Sequence, residues 1–168
     1  MALRNEPSIE LAERILPLPL MAALRHIFGQ GLAGCGLVGG TALAGFYAGH
    51  RRSDDLDLFT DGEANQKAVV LAVRSLESLG AEVQAKTASA SYFRALCLLN
   101  GHRFTVDVCA SELLFRVSGF VTLGDGIAVA DLDTLLMLKA AALASRCAEK
   151  DLYDLIWILE QCPGMTLK

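Results

Sequence analysis

The chain is 168 residues long, 53% hydrophobic and 20% charged, which excludes a disordered protein and fits a single domain over residues 1–168. Its formal net charge of −4 excludes a general attraction to nucleic acid, so any RNA contact would need a local basic patch. No apolar run reaches the roughly 18 residues of a membrane span, and Glu6, Glu10 and Glu13 argue against a signal peptide. We therefore expect a cytoplasmic protein without a membrane partner.

Helices and short strands follow one another in the first part of the chain. Hydrophobic periodicity predicts a helix over 8–28 that Pro17 and Pro19 interrupt, a strand over 35–38, a small helix over 42–47 and a strand over 55–59. Ser8 is a candidate N-cap of the first helix, because its hydroxyl can accept a hydrogen bond from a free backbone amide.

The second part of the chain combines a hairpin with helices. The pattern predicts a helix over 63–79 that stops at Gly80, strands over 81–86, 91–99, 102–109 and 127–130, and helices over 132–146 and 149–161. Asn100-Gly101 is a strong hairpin signal between two of these strands. The combination predicts an α+β fold, or α/β with a mixed sheet, with a core over about 20–130 and C-terminal helices over about 131–161.

Three aspartates carry the clearest chemical signal. Period-two alternation places Asp55 and Asp57 on one face of their strand, and Asp107 on the polar face of a later strand. If these strands are neighbours, the three carboxylates repel one another unless a cation joins them, and oxygen-only ligands suit Mg²⁺. The alternative is that Asp55 and Asp57 are ordinary residues of a solvent-facing strand.

Other candidate positions also have two interpretations. Gly39-Gly40-Thr41 lies between a strand and a helix, where bare backbone amides can hold phosphate, although Gly-Gly alone is commonly a turn. Lys139, in the middle of an apolar helical surface, either extends its ammonium outward to solvent or meets an anion. Lys150 and Asp154 have the spacing of a surface ion pair on a helix. His50-Arg51-Arg52 is either a solvated loop or part of a site beside the aspartate strand.

Two segments in order resemble the AbiEii/AbiGii-type toxin nucleotidyltransferases. The first, "LVGGTALAGFYAGHRRSDDLDLFT", matches a pattern of GGTAL, a short helix and H-R-x-S-x-D-L-D-L-F. The second, "LKAAALASRCAEKDLYDLIWIL", is similar to the family's lysine, arginine and K-D-x-x-D-L. The resemblance covers about 35–60 and 135–160 and implies a nucleotidyltransferase (DNA polymerase beta-like) fold with C-terminal helices. Known members tend to be longer, which implies that part of the usual C-terminal helical region is missing here.

The resemblance also implies roles for individual residues. Asp55, Asp57 and Asp107 would hold two Mg²⁺ ions, and Asp107 would also accept the proton of the attacking hydroxyl. The residues implied to bind the nucleoside triphosphate (NTP) are Gly39, Gly40, Thr41, Lys139, Arg146 and Asp151. Arginines near the expected site are candidates for binding an RNA acceptor: Arg51, Arg52 and Arg103.

The implied activity is Mg²⁺-dependent transfer of a nucleoside monophosphate from an NTP to a hydroxyl group. The family suggests an RNA acceptor, in particular a tRNA end, and a toxin of a toxin–antitoxin or phage-defence pair with a cognate antitoxin. Two alternatives remain at this point. One is a non-catalytic nucleotide- or partner-binding module of the same fold, and the other is a nucleotidyltransferase acting on a small molecule such as an aminoglycoside.

Overall fold

Two short helices begin the described part of the chain, which covers residues 6–162 of this computed structural model. In α1 (Ile9–Ile15) the Ser8 hydroxyl accepts a hydrogen bond from the Leu11 amide, so the predicted N-cap is confirmed. In α2 (Leu18–Phe28) Pro19 occupies the first turn, where a missing amide proton removes no helical hydrogen bond. The predicted interruption therefore falls between the two helices.

One mixed sheet organises residues 6–162. Its strands are β1 (Cys35–Val38), β2 (Asp55–Thr60), β3 (Glu82–Ala88), β4 (Tyr92–Leu99), β5 (His102–Ala110), β6 (Phe120–Thr122) and β7 (Ala128–Ala130). The order across the sheet is β3-β4-β5-β2-β1-β7-β6. β2 runs parallel to β5 and β1 runs parallel to β7, whereas the other neighbours are antiparallel. This architecture confirms the predicted α+β class.

The remaining helices connect and cover the strands. They are α3 (Gly39–Leu43), which continues as a π-helical turn over Ala44–Ala48, α4 (Glu63–Arg74), α5 (Glu112–Val117), α6 (Leu132–Arg146) and α7 (Glu149–Gln161). α4 ends in a 3₁₀ turn before Gly80, whose φ of 84° is the left-handed conformation expected after a helix. α5 and β6 were not predicted. Gly39-Gly40-Thr41 was placed before a helix but forms the first turn of α3.

The hairpin signal in the sequence is confirmed. Asn100 and Gly101 have φ values of 48° and 77°, and both central positions of the favoured two-residue turn require a positive φ. The turn sets the register of the two strands, so Leu99 faces His102 and Arg94 faces Asp107. This register places a cation beside one of the three aspartates.

The sheet separates an apolar face from a polar one. Leu56 and Leu58 of β2, together with Val106 and Val108 of β5, are buried among residues of α2 and α4. Asp55, Asp57 and Asp107 project from the opposite face, as alternation predicted. None of the helices in the described residues has the length and apolar character needed to cross a membrane.

Candidate active site

The three aspartates lie on adjacent parallel strands. Asp57 of β2 is the register neighbour of Asp107 of β5, and Asp55 is the neighbour of Thr105, whose hydroxyl donates a 2.5 Å hydrogen bond to Asp55 Oδ1. Strands paired in this way are separated by about 4.8 Å. The expectation that β2 and β5 are neighbours is therefore correct, and the carboxylates share one face of the sheet.

The electrostatic environment of Asp57 is unfavourable for its charged form. Burial, followed by the negative charges of Asp107 and Asp55, raises the pKa of Asp57 to about 6. The positive charges of Lys139 and Lys150 act in the opposite direction but do not cancel this effect. A cation bound between these carboxylates would remove the electrostatic repulsion among them.

The surroundings of Asp107 and Asp55 include two residues that the sequence interpretation missed, Tyr92 and Arg94, and one that it placed in a surface ion pair, Lys150. Tyr92 donates its hydroxyl proton to Asp107 Oδ1, and Arg94 Nε lies 3.7 Å from the same oxygen. Lys150 Nζ lies 3.9 Å from Asp55 Oδ2, so the predicted surface pair of Lys150 with Asp154 is wrong. A signal for Arg94 was present, because counting back from the Asn100-Gly101 turn pairs it with Asp107.

The chemistry of these positions fits a divalent metal ion. Within residues 6–162 no three Asp, Glu, His or Cys side chains stand in a metal-binding arrangement, and Thr105 and Tyr92 donate hydrogen bonds to two of the three carboxylates. The two paired strands nevertheless place three carboxylates on one face of the sheet, and a cation would stabilise the buried charge of Asp57. Carboxylates of this number and placement suit Mg²⁺, which commonly retains waters and substrate phosphates as further ligands.

The glycines at the start of α3 bring the backbone close to the aspartates. Gly39 has a φ of +75°, and a Cβ at this position would overlap Asp57 Oδ2. A Cβ on Gly40 would lie 2.6 Å from Arg51 Nη2 and 2.8 Å from Ser53 Oγ. Both glycines line the pocket in front of the aspartates, where Gly39 is half-buried and Gly40 is buried under Arg51 and Ser53.

Thr41 has a different environment from the one the resemblance implied. Its side chain is fully buried and its hydroxyl donates to the backbone oxygen of Asp55 at 2.6 Å. The hydroxyl therefore connects α3 to β2 behind the pocket wall. This contact supports the position of the aspartate strand.

Replacing Gly39 with alanine is expected to destabilise the protein and to displace Asp57. The left-handed φ alone costs an alanine about 1 kcal/mol, and the overlap with Asp57 should increase the loss to roughly 2–3 kcal/mol. Gly31→Ala is the matched control, because Gly31 has a φ of +70° but open space around its missing Cβ. Equal losses of unfolding free energy in urea titrations of the two variants would contradict the proposed contact.

A buried charge network closes the pocket on the side of α6 and α7. Lys139 is 5% exposed, and its Nζ lies 3.0 Å from Asp151 Oδ1 and 2.7 Å from Asp154 Oδ2. The interpretation that Lys139 extends to solvent is therefore wrong. Arg146 donates from Nε to Asp151 Oδ2 at 2.7 Å and remains about half exposed at the pocket edge.

Asp154 is the centre of this network. It is fully buried and accepts hydrogen bonds from His50 Nε2 at 2.8 Å and from Arg51 Nε and Nη2 at 2.7 and 2.6 Å. Burial acts to raise the pKa of Asp154, but the hydrogen bonds from Arg51, His50 and Lys139 outweigh it and hold the pKa well below its usual value. The solvated-loop interpretation is wrong for His50 and Arg51, whereas Arg52 is exposed at the pocket.

The pocket has a volume of about 800 Å³. The predicted site residues that line it are Gly39, Gly40, Arg51, Arg52, Asp55, Asp57, Asp107, Lys139, Arg146 and Asp151. Thr41 and Arg103 are outside the pocket lining, and Arg103 is an exposed residue near the start of β5. An acidic floor is thus surrounded by cations, an arrangement that can hold a metal ion together with a polyphosphate.

Comparison with known proteins agrees with this description. The family described as "Nucleotidyl transferase AbiEii toxin, Type IV TA system" matches residues 23–167. An uncharacterized protein of Aquifex aeolicus (strain VF5) is 34% identical over 132 residues, which are 79% of this chain and 60% of that protein. The chain thus spans about 60% of the length of this relative.

Solved structures show the same fold. The JHP933 protein of Helicobacter pylori superposes with a TM-score of 0.65 at 20% identity, covering 95% of this chain and 70% of that one. The nucleotidyltransferase toxin MenT4 of Mycobacterium tuberculosis H37Rv gives a TM-score of 0.54 at 16% identity, covering 88% and 57%. At such identities the likeness concerns the fold, and it confirms the predicted nucleotidyltransferase architecture.

Proposed function

The chain belongs to the AbiEii nucleotidyltransferase toxin family, and on this premise we propose that it transfers a nucleoside monophosphate from an NTP to a hydroxyl group. The observation that carries the proposal is the convergence of Asp55, Asp57 and Asp107 on one pocket that is also lined by Gly39 and Gly40. The positively charged side chains at the pocket edge attract the negatively charged phosphates of an NTP. The geometry thus supports phosphoryl chemistry at this site.

Asp55, Asp57 and Asp107 are the residues that would hold two Mg²⁺ ions. Bound there, the ions supply stabilisation of the attacking and leaving oxygens during in-line displacement. Thr105 orients Asp55, and the Thr41 hydroxyl fixes the backbone of the same residue. The protein's own contribution is therefore a rigid presentation of the carboxylates on two paired strands.

Asp107 acts as the proton acceptor in the proposed reaction. The hydroxyl oxygen of the acceptor forms a bond to the α-phosphorus, and its proton passes to Asp107. The bond from that phosphorus to the bridging oxygen breaks, and pyrophosphate leaves with the electron pair. Arg146 and Lys150 bind the triphosphate, and Lys139 has a third ammonium proton to offer after its contacts with Asp151 and Asp154.

The acceptor in this proposal is an RNA end, in particular that of a tRNA. Modification of such an end would stop growth, which fits a toxin restrained by a cognate antitoxin, or a phage-defence pair. The net charge of −4 gives no general attraction to RNA, so binding depends on local cations such as Arg52.

Incubation with Mg²⁺, α-³²P-labelled NTPs and total cellular RNA tests the proposal directly. We expect label in the RNA fraction and release of pyrophosphate. If only a small hydroxyl compound is labelled, the protein transfers nucleotides but RNA is not its acceptor. Absence of label from RNA, protein and small molecules would contradict the proposed activity.

Binding of an NTP can be measured without turnover. An NTP with Mg²⁺ should raise the melting temperature, because the ligand binds the folded state preferentially. Arg146→Ala should weaken NTP affinity by about tenfold or more, the usual effect of losing a hydrogen bond to a charged group. Arg116→Ala is the control, since Arg116 is exposed on α5 and pairs with Glu112. Equal thermal shifts in both variants would exclude Arg146 from the nucleotide site.

A further inference from the structure

The polar face of the sheet continues beyond the aspartates onto β4 and β3. α2 and α4 pack on the apolar face, whereas on the polar face the side chains of β3 and β4 are exposed or half-buried. Arg94 faces Thr87 of β3 on this surface, and Leu96 faces Gln84. We refer to this surface, formed by the polar faces of β3, β4 and the start of β5, as the open sheet face.

The open sheet face meets the pocket at Asp107. The Arg94 side chain is 48% exposed and extends from β4 to within 3.7 Å of Asp107, and Tyr92 donates its hydroxyl proton to the same carboxylate. Tyr92 and Arg94 both line the pocket. Asp107, the proposed proton acceptor, therefore lies where the open sheet face meets the nucleotide pocket.

In-line displacement determines which side the acceptor occupies. The attacking and leaving oxygens lie on opposite sides of the transferred phosphorus. Gly39 and Gly40 follow β1 directly and lie on the β1 side of the aspartates, because the strand order is β4-β5-β2-β1. With the pyrophosphate on that side, the attacking hydroxyl has to approach from β4.

We propose that the open sheet face is the acceptor surface of this protein, where the end of a single RNA strand lies with a terminal phosphodiester against Arg94. This inference rests on the proposed nucleotidyl transfer and adds the location and chemistry of the acceptor. It adds Arg94 to the candidate acceptor-binding arginines and excludes Arg51, whose guanidinium is held by Asp154.

The charges of the open sheet face agree with a polyanionic strand. Lys86 in the β3 bulge, whose ammonium donates to Gln84 at 2.5 Å, and Arg103 on β5 are exposed cations of this surface, and Glu82 is an exposed acid there. Arg103 lies four residues from Asp107, about 13 Å along an extended strand. A short RNA strand that crosses the surface can therefore place one phosphate near Arg94 and an earlier one near Arg103.

Arg94→Ala tests the acceptor surface, with Arg74→Ala as the matched control because Arg74 is an exposed residue of α4. The binding probe is a short fluorescent single-stranded RNA with a 3′-deoxy end, which cannot be extended. We expect Arg94→Ala to weaken RNA affinity about tenfold and to reduce the log–log salt slope by about one. The RNA affinity and the NTP-induced thermal shift of Arg74→Ala should match those of wild type.

Neutral methylphosphonates, introduced at each of the last linkages of the RNA in turn, identify the contact itself. One substitution should weaken binding to wild type but cause no further loss in Arg94→Ala. If every substitution weakens RNA binding to wild type and to Arg94→Ala equally, Arg94 does not contact a phosphate and the inference is overturned. Transfer to RNA by wild type with unchanged affinity in Arg94→Ala would likewise overturn it, while supporting the proposed function. RNA binding through Arg94 without any nucleotidyl transfer would instead support the proposed RNA-binding role of the open sheet face and contradict the proposed activity.

Discussion

Asp57→Asn is expected to lower nucleotidyl transfer by at least about 10³-fold, equivalent to roughly 4 kcal/mol of transition-state stabilisation. The substitution removes one of the proposed metal ligands from the centre of the carboxylate group. It should leave the free energy of unfolding of the metal-free protein unchanged or increased, because burial and the charges of Asp107 and Asp55 destabilise the ionised side chain. Loss of activity without loss of stability is the combined result expected of a catalytic position.

Initial rates with a labelled NTP and urea unfolding curves measure these two effects on the same preparations. Asp133→Asn is the control, because Asp133 is an exposed residue in the first turn of α6. It removes the same charge outside the pocket and should retain wild-type transfer. Full activity of Asp57→Asn would refute the proposed mechanism, whatever the acceptor is.

Asp154→Asn is expected to lower the free energy of unfolding by about 3–5 kcal/mol at neutral pH. Asp154 is fully buried, hydrogen-bonded to His50 and ion-paired with Arg51 and Lys139, so the neutral amide would leave these two cations without their counter-charge. A loss of this size corresponds to a decrease of at least about 6 °C in melting temperature. Asp133→Asn again provides the comparison, with a change expected within about 0.5 kcal/mol.

The same substitution has a predictable pH dependence. The folded-state pKa of Asp154 is depressed, so its stabilisation is fully present above the unfolded-state pKa of about 3.9 and is lost as the pH falls toward the folded-state value. The difference in unfolding free energy between wild type and Asp154→Asn should therefore be constant near neutrality and decrease below about pH 4. If the difference in unfolding free energy stays constant until the protein unfolds in acid, the loss of stability comes from altered packing and not from the lost charge of Asp154.

Local rules account for most elements of the structure. Alternation with period two assigned the faces of β2 and β5, the Asn100-Gly101 pair set the hairpin, and Ser8 capped α1. These features depend on residues close together in the chain, so the sequence alone predicts them. α5 and β6 were missed because neither shows a clear buried apolar pattern: α5 has no buried residue, and β6 has one half-buried and two exposed residues.

The candidate site depended on contacts between distant segments. Sequence alone determined that Asp55 and Asp57 share a face and that a lysine occurs within an apolar helix. The tertiary structure decided that β5 lies beside β2 and that Lys139 ends between two buried carboxylates. Parallel pairing and buried ion pairs join residues far apart in the chain, and their energies depend on which surfaces meet when the protein packs. Such contacts therefore cannot be inferred from local sequence patterns.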